Sequence, residues 1–327
     1  MTDEISASPA TGNGAHQRAL TEISLSILRS EIGQRIATSL QFQERLEVGS
    51  GTVQKAIRQL IDTGAVKLRV KGHLGTVIEE FDPALLWKAA DVGPVRLTLT
   101  PPGGIESTGI ALGVRAQLAD HHVATEFDFV RGASKRVATL EQDAPRVVVV
   151  SKVAAEGFGL IRDSRFASLD LGPLTYYRPE TLAVLRSPQV TTETVRRVAR
   201  DPDSYDHDHL TRAEFPEASG YEYVDCAFPD VPASILAGHA DAGVWHRVVT
   251  VITPEQAGLI SSPLQRLPRP PDDLGAISNA LLVWRSEFGE INSLLGLLIP
   301  NDIRAWQDEL VSKGIGSPEV RDVVPWL

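Results

Sequence analysis

The stretch from Gly33 to Glu80 constrains this chain most, because its apolar and glycine positions admit few arrangements. Ser39 to Leu46 makes about two helical turns, with Leu40, Phe42 and Leu46 apolar. Val48-Gly49 predicts a tight corner, since glycine tolerates the backbone angles of a sharp turn. Ser50 or Gly51 caps a second helix, whose apolar positions Val53, Ala56, Ile57, Leu60 and Ile61 recur at helical spacing on one face. Thr52, Gln54, Lys55, Arg58 and Gln59 make the other face. A helix, a short glycine turn and a helix with a polar-basic face form the helix-turn-helix layout. Gly64 ends the second helix. Ala65 to Val70 then predicts a strand with alternating Lys67, Arg69 and Lys71, Gly72-His73-Leu74-Gly75 a turn, and Thr76 to Ile78 the returning strand.

A two-stranded basic ribbon behind such a helix is a wing. The residues resemble those of the GntR-type winged-helix repressors in three places: Gly33-Gln34-Arg35-Ile36, the corner Val48-Gly49-Ser50-Gly51-Thr52-Val53, and Gly72-His73-Leu74-Gly75-Thr76-Val77. Ser50 stands where that family's corner has arginine, and Ile36-Ala37 where a proline is usual. The resemblance implies a winged helix-turn-helix DNA-binding domain over residues 15–80. It would meet a double-stranded operator through Arg35, Thr38, Ser50, Thr52, Gln54, Lys55, Arg58, Arg69, Lys71 and His73. A winged-helix module that binds protein instead stays open as the alternative.

A length of 327 residues predicts about two domains. The formal net charge of −10 has the wrong sign for a general nucleic-acid binder, but it is unevenly placed. Residues 29–80 carry eight Lys/Arg against six Asp/Glu, and the chain from Phe81 onward 23 against 33. A slightly basic module attached to an acidic body fits a sequence-directed DNA binder with a separate sensing domain. The single cysteine, Cys226, excludes an internal disulfide and points to a reducing compartment. The opening MTDEISASPATGNGA lacks the apolar core of a signal peptide, and no apolar run approaches the ~20 residues of a membrane span. The expectation is a cytoplasmic protein with no membrane partner.

Residues 1–14 read as a disordered tail and Ala15 to Ser30 as the first helix of the head. Residues 81–93 read as a linker containing a short helix from Ala84 to Ala90. Beyond it strands alternate with helices, the pattern of an α/β fold with parallel sheets. Val95–Thr100, Glu126–Val130 and Arg146–Ser151 read as strands, the last a central one buried on both faces through its four valines. Leu171–Arg186 reads as two strands joined by a turn, Thr191–Ala199 as a helix and Tyr221–Ala227 as a strand. Val231–Ala240 reads as helical, Asp241–Trp245 and Ile277–Arg285 as strands, and two helices close the chain. This order resembles the type 2 periplasmic-binding-protein fold, in which a second lobe is inserted into the first. The segment Ile235-Leu236-Ala237-Gly238-His239-Ala240-Asp241-Ala242-Gly243-Val244-Trp245 looks like the helix and strand typical of its second lobe, and Phe129-Val130-Arg131-Gly132-Ala133 takes the corresponding place in the first. The resemblance implies a two-lobed effector-binding domain over residues 94–327, lobe I at about 94–175 and 277–327 and lobe II at about 176–276. Head and body together resemble the YhfZ type of regulator, and the winged-helix resemblance implies a homodimer on a two-fold operator.

Ligands in α/β clefts sit beyond the carboxyl ends of strands, where helix N-termini present free N–H groups. That rule selects Thr100, Gly103, Gly104, Ser107 and Thr108 after the first strand, Arg131, Gly132 and Ser134 after the second, and Ser151 and Lys152 after the third. In lobe II it selects Thr191, Thr192 and Asp241. Arginine and lysine beside helix N-termini suit a small anionic metabolite such as a carboxylate or phosphate. Asp206-His207-Asp208-His209 reads as a solvated loop after Pro202 rather than a metal site, for no second cluster completes a shell. No G-x-S-x-G, P-loop or G-x-G-x-x-G pattern is present, so neither cofactor nor catalysis is expected. The competing class is an enzyme or ligand-binding protein of the same fold with a vestigial head.

Overall fold

The computed structural model describes residues 11–72, 75–142, 144–266 and 275–313. The chain divides into two compact units: Met1–Pro94 with Leu118–Ala124 and Glu287–Leu298, and Val95–Gln117 with Thr125–Ser286 and Ile299–Leu327.

In the first unit α1 (Thr11–Leu28) buries Leu20, Ile23, Ile27 and Leu28. Of the tail expected at 1–14, residues 1–10 lie outside the described residues, while residues 11–14 are helical. Extending a nucleated helix costs far less than starting one, which carries α1 past its last apolar anchor. In α2 (Ser39–Leu46) Thr38 is the N-cap: it accepts from Gln41 N and donates its own N–H to the Gln41 side chain. Phe42 is fully buried and Leu40 exposed. The corner turns on Glu47, in the left-handed region at φ 54, rather than on Gly49. Because α2 runs to Leu46, the residue that closes it with an N–H to Gln43 O falls before the glycine. Gly49 is extended and is itself the N-cap of α3 (Ser50–Asp62), a place expected for Ser50 or Gly51.

The inward face of α3 is Val53, Ala56 and Leu60, while Ile61, at its edge, is 45% exposed. β1 (Val66–Val70) and β2 (Thr76–Phe81) form the antiparallel wing, Val66 opposite Phe81 and Val70 opposite Thr76. The segment read as a linker is α4 (Pro83–Ala90), capped by Asp82, which accepts from Ala84 N and Leu85 N. Its Leu86 and Trp87 are buried, and Thr21 Oγ1 on α1 donates to Ala90 O at 2.6 Å. A helix with so apolar a face must cover it, and α1 is the surface it finds.

The second unit holds β3 (Val95–Leu99), α5 (Ile105–Asp120, which passes into the first unit after Gln117), β4 (Thr125–Phe129), α6 (Ala133–Ala138), β5 (Val147–Ser151), α7 (Lys152–Gly157) and β6 (Phe166–Asp170). Then come β7 (Leu182–Arg186), β8 (Arg197–Arg200), α8 (Tyr205–Glu214), β9 (Glu222–Asp225), α9 (Val231–Leu236), β10 (Ala242–His246), β11 (Ile260–Ser262) and β12 (Ala280–Arg285). Two five-stranded sheets result, β4-β3-β5-β12-β6 and β9-β8-β10-β7-β11. Each lays three parallel strands in the order second, first, third, and then one antiparallel strand from elsewhere in the chain. In the first sheet that strand is β12, which arrives after the whole second sheet. This is the two-lobed α/β arrangement expected of a periplasmic-binding-protein-like body. Val147 to Val150 of β5 are buried, as a central strand requires.

In three places the local structure departs from the expectation. The strand expected from Leu171 lies earlier, at β6, because Pro173 and Pro179 have no N–H for a ladder and Leu174 is left-handed at φ 63. Residues 191–199 are not a helix but a short 3₁₀ turn followed by β8, in keeping with the run of β-branched Thr and Val. Asp206 to His209 belong to α8, which Ser204 caps and whose acidic first turn suits the positive helix end.

The chain then returns to the first unit as α10 (Gly289–Leu295). There Glu290 takes a two-pronged ion pair from Arg29 at 2.7 and 3.1 Å, and Ser293 Oγ donates to Leu28 O. α11 (Pro300–Lys313) crosses α5 in the second unit at Gly109 and Gly113. A Cβ on Gly109 would lie 2.4 Å from Gln307 Cγ and 3.0 Å from its Cα. Gly109→Ala should therefore lower stability by about 1–3 kcal/mol through overpacking, although alanine is the better helix former by about 1 kcal/mol. Thermal unfolding checks this, and a raised melting temperature would contradict it.

Candidate functional site

The outer face of α3 exposes Ser50, Gln54, Lys55, Arg58 and Gln59, with Thr52 half-buried. Arg35 belongs to the wing: its backbone bridges Val77 of β2, and its guanidinium lies over Gly75, where a Cβ would come within 2.6 Å of Nε. Gly75 is left-handed at φ 82, so both space and backbone favour glycine there. Thr38 is engaged in capping α2. On the wing, Arg69 pairs with Glu79, and Lys67 lies 3.4 Å from Glu79 and 3.5 Å from Glu80. Lys71 is exposed with no ion pair among the described residues, and His73 lies outside them.

The second unit contains a cavity of about 280 Å³. The loop after β3 and the start of α5 contribute Thr100, Pro101, Pro102, Gly103, Gly104 and Ser107, and the loop after β4 contributes Arg131 and Gly132. Six of these were expected from the sequence: Thr100, Gly103, Gly104, Ser107, Arg131 and Gly132. The remaining expected positions stand off the wall. Thr108 is buried within α5, Ser134 is exposed on α6, and Lys152 pairs with Asp170 at 3.0 Å. Thr191 and Thr192 form the 3₁₀ turn before β8. Asp241 accepts from Arg196 N, Arg197 N and the Arg197 guanidinium. Ser151 sits behind the wall, donating to Asp206 Oδ1 at 2.5 Å and accepting from Ala154 N as the cap of α7.

The rest of the wall was not foreseen: Arg136, Tyr176, Tyr177, Asp206, His207, Phe228, Trp245 and His246. Its polar members other than Tyr177 are bonded to protein. Arg136, buried, donates to Val149 O, Val130 O and the Tyr176 hydroxyl at 2.9–3.0 Å. Burial pushes the Asp206 carboxyl up, and the Ser151 hydroxyl, the Arg136 charge and the Tyr176 hydroxyl oppose this without cancelling it. Burial likewise raises both tyrosines, so their hydroxyls stay protonated. His207 Nδ1 accepts from Asp201 N at 2.9 Å and Nε2 faces Val244 O at 3.0 Å, which fixes the neutral tautomer with its proton on Nε2. Burial alone would raise Glu106. The charge of His246, the 3.0 Å bond to that residue and the Thr181 hydroxyl instead hold it below the usual carboxylate range. Arg131 pairs with Asp201 at 2.5 Å. Phe228 stacks on Trp245, and Tyr177 stands edge-on to Tyr176 and to His246. Among the described residues no group of three or more His, Cys, Asp or Glu is placed to hold a metal ion.

Two family models match the chain: the YhfZ C-terminal domain over residues 82–317, and a helix-turn-helix domain over residues 31–78. The Escherichia coli (strain K12) protein YhfZ is 28% identical over 250 residues, 76% of this chain and 80% of that protein. The crystal structure of YhfZ from Shigella flexneri superposes with a TM-score of 0.54 at 26% identity, covering 71% of this chain and 95% of that one.

The cavity wall gives one pH-dependent expectation. Burial holds His207 below its ordinary value of 6.5. Just below that value the unfolded chain binds more protons than the native one, so stability falls as pH drops through the window beneath 6.5. The raised Asp206 acts with the opposite sign, so the imidazole is isolated by comparison with His207→Gln. Between about pH 7.5 and 5 the variant should lose less melting temperature than the parent, and equal losses would contradict the assignment.

Proposed function

We propose that this chain, which belongs to the YhfZ C-terminal domain family, is a transcriptional regulator. Its head sets α3 in the major groove of an operator, and its body binds a small-molecule effector that alters this docking. The observation that carries the reading is the one-sidedness of α3: Val53, Ala56 and Leu60 are spent on the core, which leaves Gln54, Lys55 and Arg58 outside with no side-chain hydrogen bond or ion pair among the described residues. Side chains of this kind read base edges and phosphates. The net charge of −10 makes the local cations of the head, rather than the whole molecule, the source of affinity.

The body supports sensing by offering a partly open, largely apolar cavity with a few converging polar groups, the usual build of a small-molecule site. On this reading the body binds and releases its ligand unchanged. The protein works as a homodimer in the cytoplasm, where the DNA is, with one recognition helix per half-site about one helical turn apart. The anionic effector expected from Arg131 and Lys152 draws less support, since both already have acidic partners.

Selection from random duplexes with the full chain should yield a two-fold symmetric site. On it, Lys55→Ala should weaken binding and flatten the salt dependence by about 0.9 for each phosphate no longer neutralised. Arg58→Ala should relax preference at one position by about 1–3 kcal/mol if it reads a base. Arg69→Ala should matter less than either, its charge being matched by Glu79. Unchanged affinity and salt slope in both α3 variants would remove α3 as the reader.

A further inference from the structure

The charges around the cavity in the second unit are already matched by protein. Arg136, which donates to Val149 O, Val130 O and Tyr176, sets its charge against the Asp206 carboxyl, and Arg131 is held by Asp201. Asp206 takes the Ser151 hydroxyl, and His246 meets Glu106. An ion of either sign entering this space would lose its water and find no unpaired counter-charge, which is strongly unfavourable. The remaining wall is apolar, aliphatic side chains such as Leu99, Val149, Val244 and Val248 alternating with rings. Tyr177 stands edge-on to Tyr176 at 4.9 Å and to His246 at 5.0 Å, and Phe228 stacks on Trp245 at 4.7 Å. Such rings favour another ring against them. The Thr100 and Tyr177 hydroxyls, both on the wall, make no hydrogen bond to the described residues and are available to a ligand. As to size, a cavity of ~150 Å³ holds benzene. The present one, about 280 Å³, holds a substituted ring or a fused pair.

From these observations we infer that the cavity selects an uncharged, flat ring compound carrying hydrogen-bonding groups, of the aromatic amide or heteroaromatic kind. The inference deepens the regulator reading above and rests on it for the ligand's role as effector.

Three probes built on one ring and differing in charge test it on the full chain by calorimetry at neutral pH: benzamide, benzoate and benzylamine. Benzamide should bind at least about tenfold more tightly than either ion. Thr100→Val and Tyr177→Phe, which remove one hydroxyl each and little volume, should weaken benzamide roughly two- to tenfold, as expected for single hydrogen bonds. Their folding is checked by thermal unfolding. Benzoate or benzylamine binding as well as benzamide would overturn the inference, as would no binding of benzamide at millimolar concentration. Benzamide affinity unchanged in both variants would put the ring elsewhere and overturn it too. Operator titrations without any probe separate the two readings. Operator binding that persists where no ring binds sinks only the ligand class, and absent operator binding sinks only the regulator.

Discussion

A carboxyl group taken wholly out of water has to be answered by its neighbours, and Asp206 is where the second unit meets that demand. The answer comes from distant stretches of chain. Ser151 arrives at the end of β5, Tyr176 in the loop beyond β6, and Arg136 on α6, which in turn binds carbonyls of β5 and of the loop after β4. Ser151 serves twice, since the same oxygen that donates to Asp206 also caps α7. The polar floor of the cavity is thus set by one buried acid. Withdrawing one partner would leave the others facing an uncompensated group, so these residues hold their geometry together.

The two sheets share a plan that explains how one cavity draws on both. In each, the strands that face it are the parallel trio, whose carboxyl ends open toward loops and helix starts. The fourth strand is antiparallel: β12, which follows the whole second sheet in sequence, for the first, and β7, which precedes its trio, for the second. The chain therefore passes between the sheets twice, and each time it enters the new sheet as that antiparallel strand.

Much of this was legible in the sequence where a short-range rule applies. The spacing of Val53, Ala56 and Leu60, the ribbon around Gly72 and Gly75, and the four valines of β5 each carry their own signature. Gly103, Gly104 and Gly132 were found at the cavity because the ends of parallel strands follow from the alternation of elements. Where burial is decided by distant partners, the sequence misled. Asp206-His207 follows a proline and is surrounded by polar residues, so nothing local distinguishes it from a solvated loop. Only Ser204 just ahead, an N-cap residue, hinted at the helix. Tyr176-Tyr177 fitted a strand equally well, and their place on the wall depends on Arg136 and His246, far away in sequence. Lys152, one residue past Ser151, turned instead to Asp170, which no pattern within its own segment could reveal.

The brace between Arg29 and Glu290 spans 261 positions of sequence within the first unit. At a synthesis rate of about 5–20 residues per second, the ribosome delivers Glu290 roughly 13–50 s after Arg29. During that interval a nascent chain already carries α3 with its outward lysine and arginine, yet lacks α10, the helix that clasps the end of α1. The outward face of α3 and the helix that clasps α1 are thus separated in time as well as in sequence. The ion pair from Arg29 and the bond from Ser293 to Leu28 O therefore close only when translation is nearly over.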